Sequence, residues 1–290
     1  MIIYIMKLFL LCFLYFKLIY SFKEIFNNPI FTDNSWKLIN NKNTDTKIFL
    51  RYSNKIYNYR NISDFNYKFE NDKLILLTPG GLKGFYMLGT TQYIHDHYNL
   101  DNYVYSGASA GAWNALLMSY IKNTTSIVEG LFKDKYIFNS NSLRDIQKNI
   151  KYHLLNNYES KDFNFTKLFV GVTQYEKCKL YTNIYSDFYD LEDAINCCIA
   201  SSHIPLITNG LINRYNKHLS FDGGFSTNPY ISLKNRPLII KPDMWNKDSS
   251  CNMFSINKCN LKDLYTKGYY DALNNINKLD DFFTSDSDVV

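Results

Sequence analysis

Short apolar runs alternate with amphipathic segments along most of the chain. The runs at residues 74–78, 103–105, 168–172, 180–184 and 238–240 are bounded by polar or turn-forming residues, as is typical of buried strands. Segments with helical spacing of apolar residues lie at 85–97, 112–118, 191–200 and 261–276. Because strands and helices alternate, the pattern predicts an α/β fold with a mostly parallel central sheet and helices on both faces.

The first 22 residues depart from this pattern. Lys7 precedes an unbroken apolar run over residues 8–16, and Lys17 follows it. The run has the length of a secretory signal and is shorter than the roughly 20 residues that span a bilayer. We expect a cleaved signal peptide or an uncleaved signal anchor, with a buried core helix as the alternative. Glycosylation sequons agree with a secreted or membrane-anchored protein: Asn61, Asn123 and Asn164.

The remainder of the chain divides into three parts. Residues 23–72 are polar, aromatic and irregular, which predicts an N-terminal extension, and residues 73–277 carry the regular pattern. Residues 278–290 contain four aspartates and predict an acidic tail. The composition is 46% hydrophobic with 25 Tyr and 21 Phe, so the chain can bury a sizeable core and wholesale disorder is excluded.

Charge and cysteine content narrow the possible partners. The net charge of +5 is spread along the chain, as is typical of a solvated surface, and a basic surface also favours anionic membrane lipids. We expect no nucleic-acid partner. If the segment with Cys12 is removed, the cysteines that remain are odd in number: Cys178, Cys197, Cys198, Cys251 and Cys259. Cys251 and Cys259 can close a local loop, and the absence of zinc-ligand spacing predicts no structural metal.

A serine stands between a predicted strand and a predicted helix. The sequence Gly107-Ala108-Ser109-Ala110-Gly111 has the pattern of a nucleophile elbow, in which the serine occupies a sharp turn. Gly107 and Gly111 leave the room that side chains would deny, and the helix directs its positive N-terminal dipole at developing negative charge. A turn of small residues without chemistry is the alternative.

A second glycine-rich turn, Pro79-Gly80-Gly81-Leu82-Lys83-Gly84, also joins a predicted strand to a predicted helix. Consecutive glycines let main-chain N–H groups approach a substrate closely. Each such donor contributes about 3 kcal/mol when it points at an oxyanion. A phosphate-binding turn is the alternative, but the spacing fits neither a P-loop nor a dinucleotide fingerprint.

The third element is Asp222-Gly223-Gly224, which follows the apolar residues 219–221. An Asp-Gly pair is ordinarily a hairpin turn. After a strand, and beside two glycines that leave its carboxylate accessible, Asp222 is instead a candidate base for the serine proton.

In order and spacing, these three elements and the segment 200–205, Ala-Ser-Ser-His-Ile-Pro, resemble the patatin-like phospholipase family. The resemblance covers roughly residues 74–276 and implies a catalytic domain over 73–277. It also implies a three-layer sandwich, with a mostly parallel sheet flanked by helices. The activity implied is that of a lipid acyl hydrolase of the phospholipase A type, acting on phospholipid or another acyl-ester lipid at a membrane surface.

The resemblance also implies roles for individual residues. Ser109 is the nucleophile and Asp222 the base of a dyad without histidine, and neither cofactor nor metal takes part. The oxyanion hole is formed by the glycine-rich loop: Gly80, Gly81, Leu82, Lys83 and Gly84. Pro79 departs from the family, where glycine is common, and because proline has no N–H it cannot donate.

Two other functions stay open on sequence grounds. A Ser/His/Asp esterase of the usual α/β-hydrolase order needs a histidine after the acid, whereas His203 and His218 both precede Asp222. The second alternative is a catalytically silent lipid-binding protein that retains the fold, because fold does not dictate function.

Overall fold

The computed structural model describes residues 47–52, 55–59, 69, 72–176, 179–208, 210–245, 253–254 and 259–284. The predicted signal segment and most of the predicted N-terminal extension lie outside these residues. The predicted strand at residues 74–78 is the first of the central strands within them.

One mixed sheet runs through the described part of the chain. Its strands are β1 (Lys47–Tyr52), β2 (Lys55–Tyr59), β3 (Lys73–Leu77), β4 (Tyr103–Gly107), β5 (Leu168–Glu176), β6 (Lys179–Ser186), β7 (Asn213–Tyr215), β8 (His218–Phe221) and β9 (Leu238–Ile240). Their order is β2-β1-β6-β5-β4-β3-β9, and β8 pairs with both β5 and β7. Strands β5, β4, β3 and β9 are parallel neighbours, whereas β6 and β8 run antiparallel to β5. This mostly parallel central sheet confirms the predicted α/β class.

Helices connect and cover these strands. They are α1 (Gly84–His97), α2 (Ala110–Met118), α3 (Thr124–Lys133), α4 (Lys135–Phe138), α5 (Leu143–Asn157), α6 (Leu191–Ser201), α7 (Leu261–Asn274) and α8 (Ile276–Thr284). The four helices that the sequence predicts correspond to α1, α2, α6 and α7. Within the described ranges, none of the helices has the length and apolar character needed to cross a bilayer.

Helix α5 lies in a stretch whose polar, Asn-rich sequence predicts no regular structure. Its N-terminus is capped by Ser142, whose hydroxyl oxygen accepts a hydrogen bond from the Asp145 N–H at 3.1 Å. Ile146 and Leu154 are buried, while the other residues of the helix are partly or fully exposed. Because only a narrow stripe of α5 is apolar, its average composition resembles that of a loop.

Both ends of the regular pattern extend further than the sequence predicts. Strand β1, within the predicted N-terminal extension, pairs in parallel with β6. At the other end, α8 continues past the predicted start of the acidic tail at residue 278. Leu279 is buried, and the Tyr98 hydroxyl donates to the Asp280 carboxylate at 2.8 Å. These contacts correct the predicted tail as far as Thr284.

The two faces of the sheet are buried in different ways. Alternate strand residues point to opposite faces. All eight described helices contribute to the main core, which lies on the face that carries Ile75 and Val170. On the other face Leu74 packs with Phe69 and Ile231, which come from connecting segments. The helices predicted for this second face are not among the described elements.

The carboxyl ends of the parallel strands meet at one edge. Leu77 pairs with Gly107 in the β3–β4 register, so the turns that follow these two strands lie side by side. A Cβ built on Gly84 would lie 2.9 Å from the Ala110 Cβ, which shows how closely the two turns approach. Strand β5 continues past this edge and pairs with β8, and the chain leaves β8 at Phe221. The fold thus brings all three predicted motifs to one place.

Candidate active site

Ser109 occupies a strained turn between β4 and α2. Its backbone angles are φ 55° and ψ −125°, a conformation that costs a non-glycine residue about 1–3 kcal/mol. The flanking glycines are required by close backbone contacts. A Cβ on Gly107 would lie 2.2 Å from the Gly111 carbonyl oxygen, and one on Gly111 would lie 2.0 Å from that of Leu77. The local sequence therefore forces the serine to project from the turn.

A serine of helix α6 supports this turn from behind. The Ser109 N–H donates to the Ser201 Oγ at 2.9 Å, and the Ser201 hydroxyl donates to the Gly171 carbonyl at 2.6 Å. Ser201 is fully buried, so these hydrogen bonds do not compete with water. The position of the nucleophile candidate is therefore coupled to both α6 and β5.

Asp222 directly accepts the hydrogen bond of Ser109. The Ser109 hydroxyl lies 2.6 Å from the Asp222 Oδ2, and the Gly224 N–H donates to Oδ1 at 2.7 Å. The Asp222 N–H donates to the His203 carbonyl at 2.8 Å, which fixes the main chain. The hairpin turn between β7 and β8 is formed by Asn216 and Lys217, not by the Asp-Gly pair.

The environment of Asp222 changes its acidity. The residue is only 4% exposed, and burial raises the pKa of its carboxyl to about 6. The hydrogen bonds from Ser109 and Gly224 oppose this shift, because they stabilise the charged carboxylate. A carboxylate with a pKa close to neutral pH is suited both to accept a proton and to return it.

The glycine-rich loop supplies fewer donors than the sequence predicts. The Leu82 N–H donates to the Met253 carbonyl at 2.9 Å, and the Lys83 N–H donates to the Gly80 carbonyl at 3.0 Å. The Gly84 N–H is directed at the carbonyls of Gly81 and Leu82. These three N–H groups are therefore engaged within the chain, which corrects their prediction as oxyanion donors.

Two donors of the loop remain. Among the described residues, no carbonyl or side chain accepts from the N–H groups of Gly80 and Gly81. Gly81 has a φ of +53°, which favours glycine, and a Cβ there would lie 2.4 Å from the Met253 carbonyl oxygen. Ala110 is a further candidate, because the first N–H groups of a helix have no partner inside it.

Pro79 packs against the loop that carries Asp222. A Cβ built on Gly224 would lie 3.0 Å from the Pro79 Cγ. The proline ring therefore occupies the space beside the aspartate turn, and the candidate donors lie one and two residues further along the chain. The departure from the family at this position therefore leaves Gly80 and Gly81 as candidate donors.

Ser109 and Asp222 lie at the polar end of a deep cavity. The wall of the cavity is mostly apolar and comes from α1, α2, α3 and α5 among other elements. It includes Leu88, Leu117, Leu131, Ile150 and Leu154. Its polar members include Asn114, Gln147, Ser202 and Thr208. The cavity, together with the solvent space at its open mouth, encloses about 880 Å³. Helix α5, absent from the sequence prediction, forms part of this wall.

The histidines do not form a triad with these residues. His203 is 1% exposed, burial lowers the pKa of its imidazole, and its side chain is not part of the cavity wall. His218 begins strand β8, whose other end leads to Asp222. Within the described residues the serine hydroxyl meets a carboxylate directly, and no imidazole separates the two groups.

The described residues also bear on metal binding and on the cysteines. The described residues contain no group of three or more His, Cys, Asp and Glu side chains that could hold a metal ion. Cys197 and Cys198 are buried and free. Cys259 forms a disulfide, and its predicted partner Cys251 lies outside the described residues, so that pairing stays a prediction.

Several residues that support the site had no role in the sequence prediction. The Trp113 indole N–H donates to the Ser202 Oγ at 2.9 Å. The Asn114 amide donates to the carbonyls of Gly84 and Ala110, at 3.2 and 2.9 Å, and so joins the two glycine-rich turns. Ser202 lies in the segment 200–205, which the family resemblance includes, whereas nothing in the sequence around Asn114 indicated a role for that residue.

A family model matches the chain, and one solved structure is similar to part of it. The model of the patatin-like phospholipase family matches residues 75–233, more than half of the chain. The crystal structure of VipD from Legionella pneumophila is similar over 58% of this chain and 49% of its own, with 16% identity and a TM-score of 0.32. This chain thus spans about half of VipD, and so distant a likeness supports no functional conclusion. No curated protein matches the chain.

Proposed function

Because this chain belongs to the patatin-like phospholipase family, a family of lipid acyl hydrolases, we propose that it cleaves phospholipid acyl esters through Ser109 and Asp222. One observation carries the proposal: the 2.6 Å hydrogen bond between the two side chains at the polar end of an apolar cavity. A nucleophile and its base require such direct contact. The apolar wall suits an acyl chain, and the polar end suits the ester.

The first half of the reaction forms an acyl-enzyme. Asp222 accepts the Ser109 proton while Oγ attacks the ester carbonyl carbon, which gives a tetrahedral intermediate with a negatively charged oxygen. When the intermediate collapses, the bond to the alcohol breaks and Asp222 returns the proton to the leaving oxygen. The alcohol, a lysophospholipid, departs and the acyl group stays on Ser109.

The second half releases the fatty acid. Asp222 removes a proton from a water molecule, whose oxygen attacks the acyl carbon of the ester on Ser109. Collapse of this second intermediate breaks the bond to Oγ, and the serine recovers its proton from Asp222. The N–H groups of Gly80 and Gly81 are the proposed donors to both oxyanions. Donors of this kind contribute about 3 kcal/mol each.

A serine-directed probe tests this proposal. We expect a fluorophosphonate to label the wild-type chain and not the Ser109→Ala variant. We also expect wild-type protein to release fatty acid from mixed phospholipid liposomes, with or without a chelator. A folded wild-type protein that shows neither labelling nor hydrolysis would instead be the silent lipid-binding protein.

The choice between dyad and triad has its own test. His218→Ala should retain ester hydrolysis within about twofold, because surface substitutions away from a site have small effects. Loss of activity in a folded His218→Ala protein would support the Ser/His/Asp esterase and contradict the dyad.

We also propose that residues 1–22 direct the protein to the secretory pathway, as a cleaved signal or as an anchor. The support is the short apolar run between Lys7 and Lys17. N-terminal sequencing of the mature protein distinguishes the two, because an intact Met1 excludes cleavage.

A further inference from the structure

Large apolar side chains are exposed around the mouth of the cavity. Ile204 and Thr208 line the cavity, and Leu206 between them is 52% exposed. The loop that holds Leu206 is closed by a hydrogen bond from the Leu206 N–H to the Gly210 carbonyl at 3.0 Å. Ile212, which follows this loop, is 64% exposed. This side of the mouth therefore presents aliphatic groups to solvent.

Two aromatic side chains continue the same surface. The Phe225 N–H donates to the Asp222 carbonyl at 3.0 Å, which holds Phe225 one turn from the candidate base, and its ring is 47% exposed. Phe254 lines the cavity and is also 47% exposed. We call Leu206, Leu211, Ile212, Phe225 and Phe254 the apolar rim. Its members come from three separate segments that each contact the site.

Near the rim, basic residues outnumber acidic ones, although Asp243, two residues beyond Lys241, is exposed. From Ile204 to Lys241 the sequence contains five Lys and Arg residues, whereas Asp222 is its one acidic residue. Asp222 is buried against Ser109, so its charge does not face solvent. Within this segment, the exposed charges are therefore all positive.

Three of these cations lie on the same side of the sheet as the mouth. Arg214 and Lys217 belong to the β7–β8 hairpin, which pairs with the part of β5 that extends beyond the end of β4. Lys241 follows β9, and the next residue, Pro242, approaches Gly80, where a Cβ would lie 3.0 Å from its Cγ. These cations thus lie beyond the same edge of the sheet as the apolar rim.

We propose that the apolar rim and its cations form a docking surface for an anionic phospholipid bilayer. The proposal rests on the proposed lipid hydrolase function, because the cavity opens inside the rim. Exposed apolar side chains insert at the level of the acyl chains, while Lys and Arg contact anionic headgroups. When the protein is docked on the bilayer in this way, an acyl chain can pass from the bilayer into the cavity without crossing water.

Vesicle binding by a catalytically inactive protein tests this surface. The full chain with Ser109→Ala is sedimented with vesicles of phosphatidylcholine alone or with added phosphatidylserine. We expect tighter binding to the anionic vesicles. Adding Leu206→Asn and Ile212→Ser should weaken it roughly tenfold or more, because two apolar side chains no longer insert. Asn suits position 206, where φ is +67°.

Two equally exposed apolar side chains at the opposite edge of the sheet serve as the control pair. Ile121 and Tyr189 are 60% and 61% exposed, and both lie away from the mouth. Ile121→Ser with Tyr189→Ser should leave vesicle binding unchanged. Replacing Arg214 by Gln and Lys217 by Asn should weaken binding to anionic vesicles about fivefold for each cation removed, with little effect on neutral ones.

The outcomes separate docking from catalysis. Equal binding by the rim pair and the control pair, or no binding by the Ser109→Ala protein, overturns the docking surface. With Ser109 intact, the rim pair should still hydrolyse a water-soluble short-chain ester at the wild-type rate. If wild-type protein cannot hydrolyse that ester or a liposomal phospholipid, the proposed function fails, whereas the vesicle binding of the Ser109→Ala protein still decides the docking surface.

Discussion

Two carboxylates are buried beyond opposite ends of helix α2, and their acidities are shifted in opposite directions. Asp222, near the start of the helix, faces a serine hydroxyl, and burial raises its pKa to about 6. Asp162, near the other end, accepts a hydrogen bond from the Lys122 ammonium at 2.5 Å and another from the Glu159 N–H at 2.9 Å. These partners lower the pKa of Asp162.

The difference lies in the partner of each charge. Lys122 compensates the charge of Asp162, so that this carboxylate stays ionised and supports the fold. No cation is paired with Asp222 among the described residues, and its neighbours are neutral donors. A buried carboxylate without a paired cation is costly to the fold, and such groups cluster at functional sites. The contrast therefore supports the proposed chemical role of Asp222 and a structural role for Asp162.

The largest expected effect is on catalysis. Asp222→Asn should lower kcat/KM for ester hydrolysis by about 10³-fold or more, because the amide cannot accept the serine proton. Asp162→Asn should retain kcat/KM within about twofold, since Asp162 does not reach the cavity. Equal losses in both variants, at equal folded fractions, would erase the distinction between the two carboxylates.

The pH profile comes next in size. Because only ionised Asp222 accepts a proton, kcat/KM for a soluble ester should fall about tenfold per pH unit below pH 6. Asp162, whose pKa is lowered, stays ionised through this range and contributes no step. A rate that is constant between pH 5 and pH 8, from about one unit below the pKa to about two units above it, would exclude Asp222 as the base.

Stability should respond to the two residues with opposite signs. The folded state holds the Asp222 proton to a higher pH than the unfolded chain, so this group favours folding at pH below its usual pKa. That contribution, up to about 3 kcal/mol, is lost as the pH rises through 6. Asp222→Asn should therefore raise the Tm at pH 7. Asp162 stabilises the fold above its usual pKa, so Asp162→Asn should lower the Tm at pH 7.

The smallest expected effect is that of replacing Lys122, the cation paired with Asp162. The Lys122 side chain is 59% exposed, so solvent screens its end of the ion pair, and Asp162 keeps the hydrogen bond from the Glu159 N–H when the ammonium is removed. Lys122→Met should change the Tm by no more than about 2 °C and leave ester hydrolysis unchanged. Differential scanning calorimetry beside an activity assay measures both, and a large loss of either would give Lys122 a role beyond pairing with Asp162.

Parts of the fold followed from local patterns. The central strands, the helices α1, α2, α6 and α7, and the elbow at Ser109 were predictable because each depends on neighbouring residues. Helix α5 was not, since its apolar stripe is narrow and becomes meaningful only against the cavity it lines. Helix α8 was hidden for a similar reason: Leu279 finds its packing partners only in the folded core.

The N–H donors of the glycine-rich loop likewise depend on contacts that the sequence pattern does not contain. The sequence offered five N–H groups, from Gly80 to Gly84, with no means of ranking them. The carbonyl of Met253, about 170 residues away along the chain, engages Leu82 and so narrows the choice. A one-dimensional pattern contains no information on such a contact, because hydrogen bonds across the fold depend on where the chain returns.

By itself, the sequence determined the α/β class and the strained turn that exposes Ser109, because backbone sterics and apolar periodicity act over a few residues. Only the tertiary structure provides the burial and the contact on which the proposed role of Asp222 rests. Asp222 lies 113 residues from Ser109, and an Asp-Gly pair is a turn unless the fold buries it. Burial without a cation raises its pKa, and contact at 2.6 Å gives it a proton to accept.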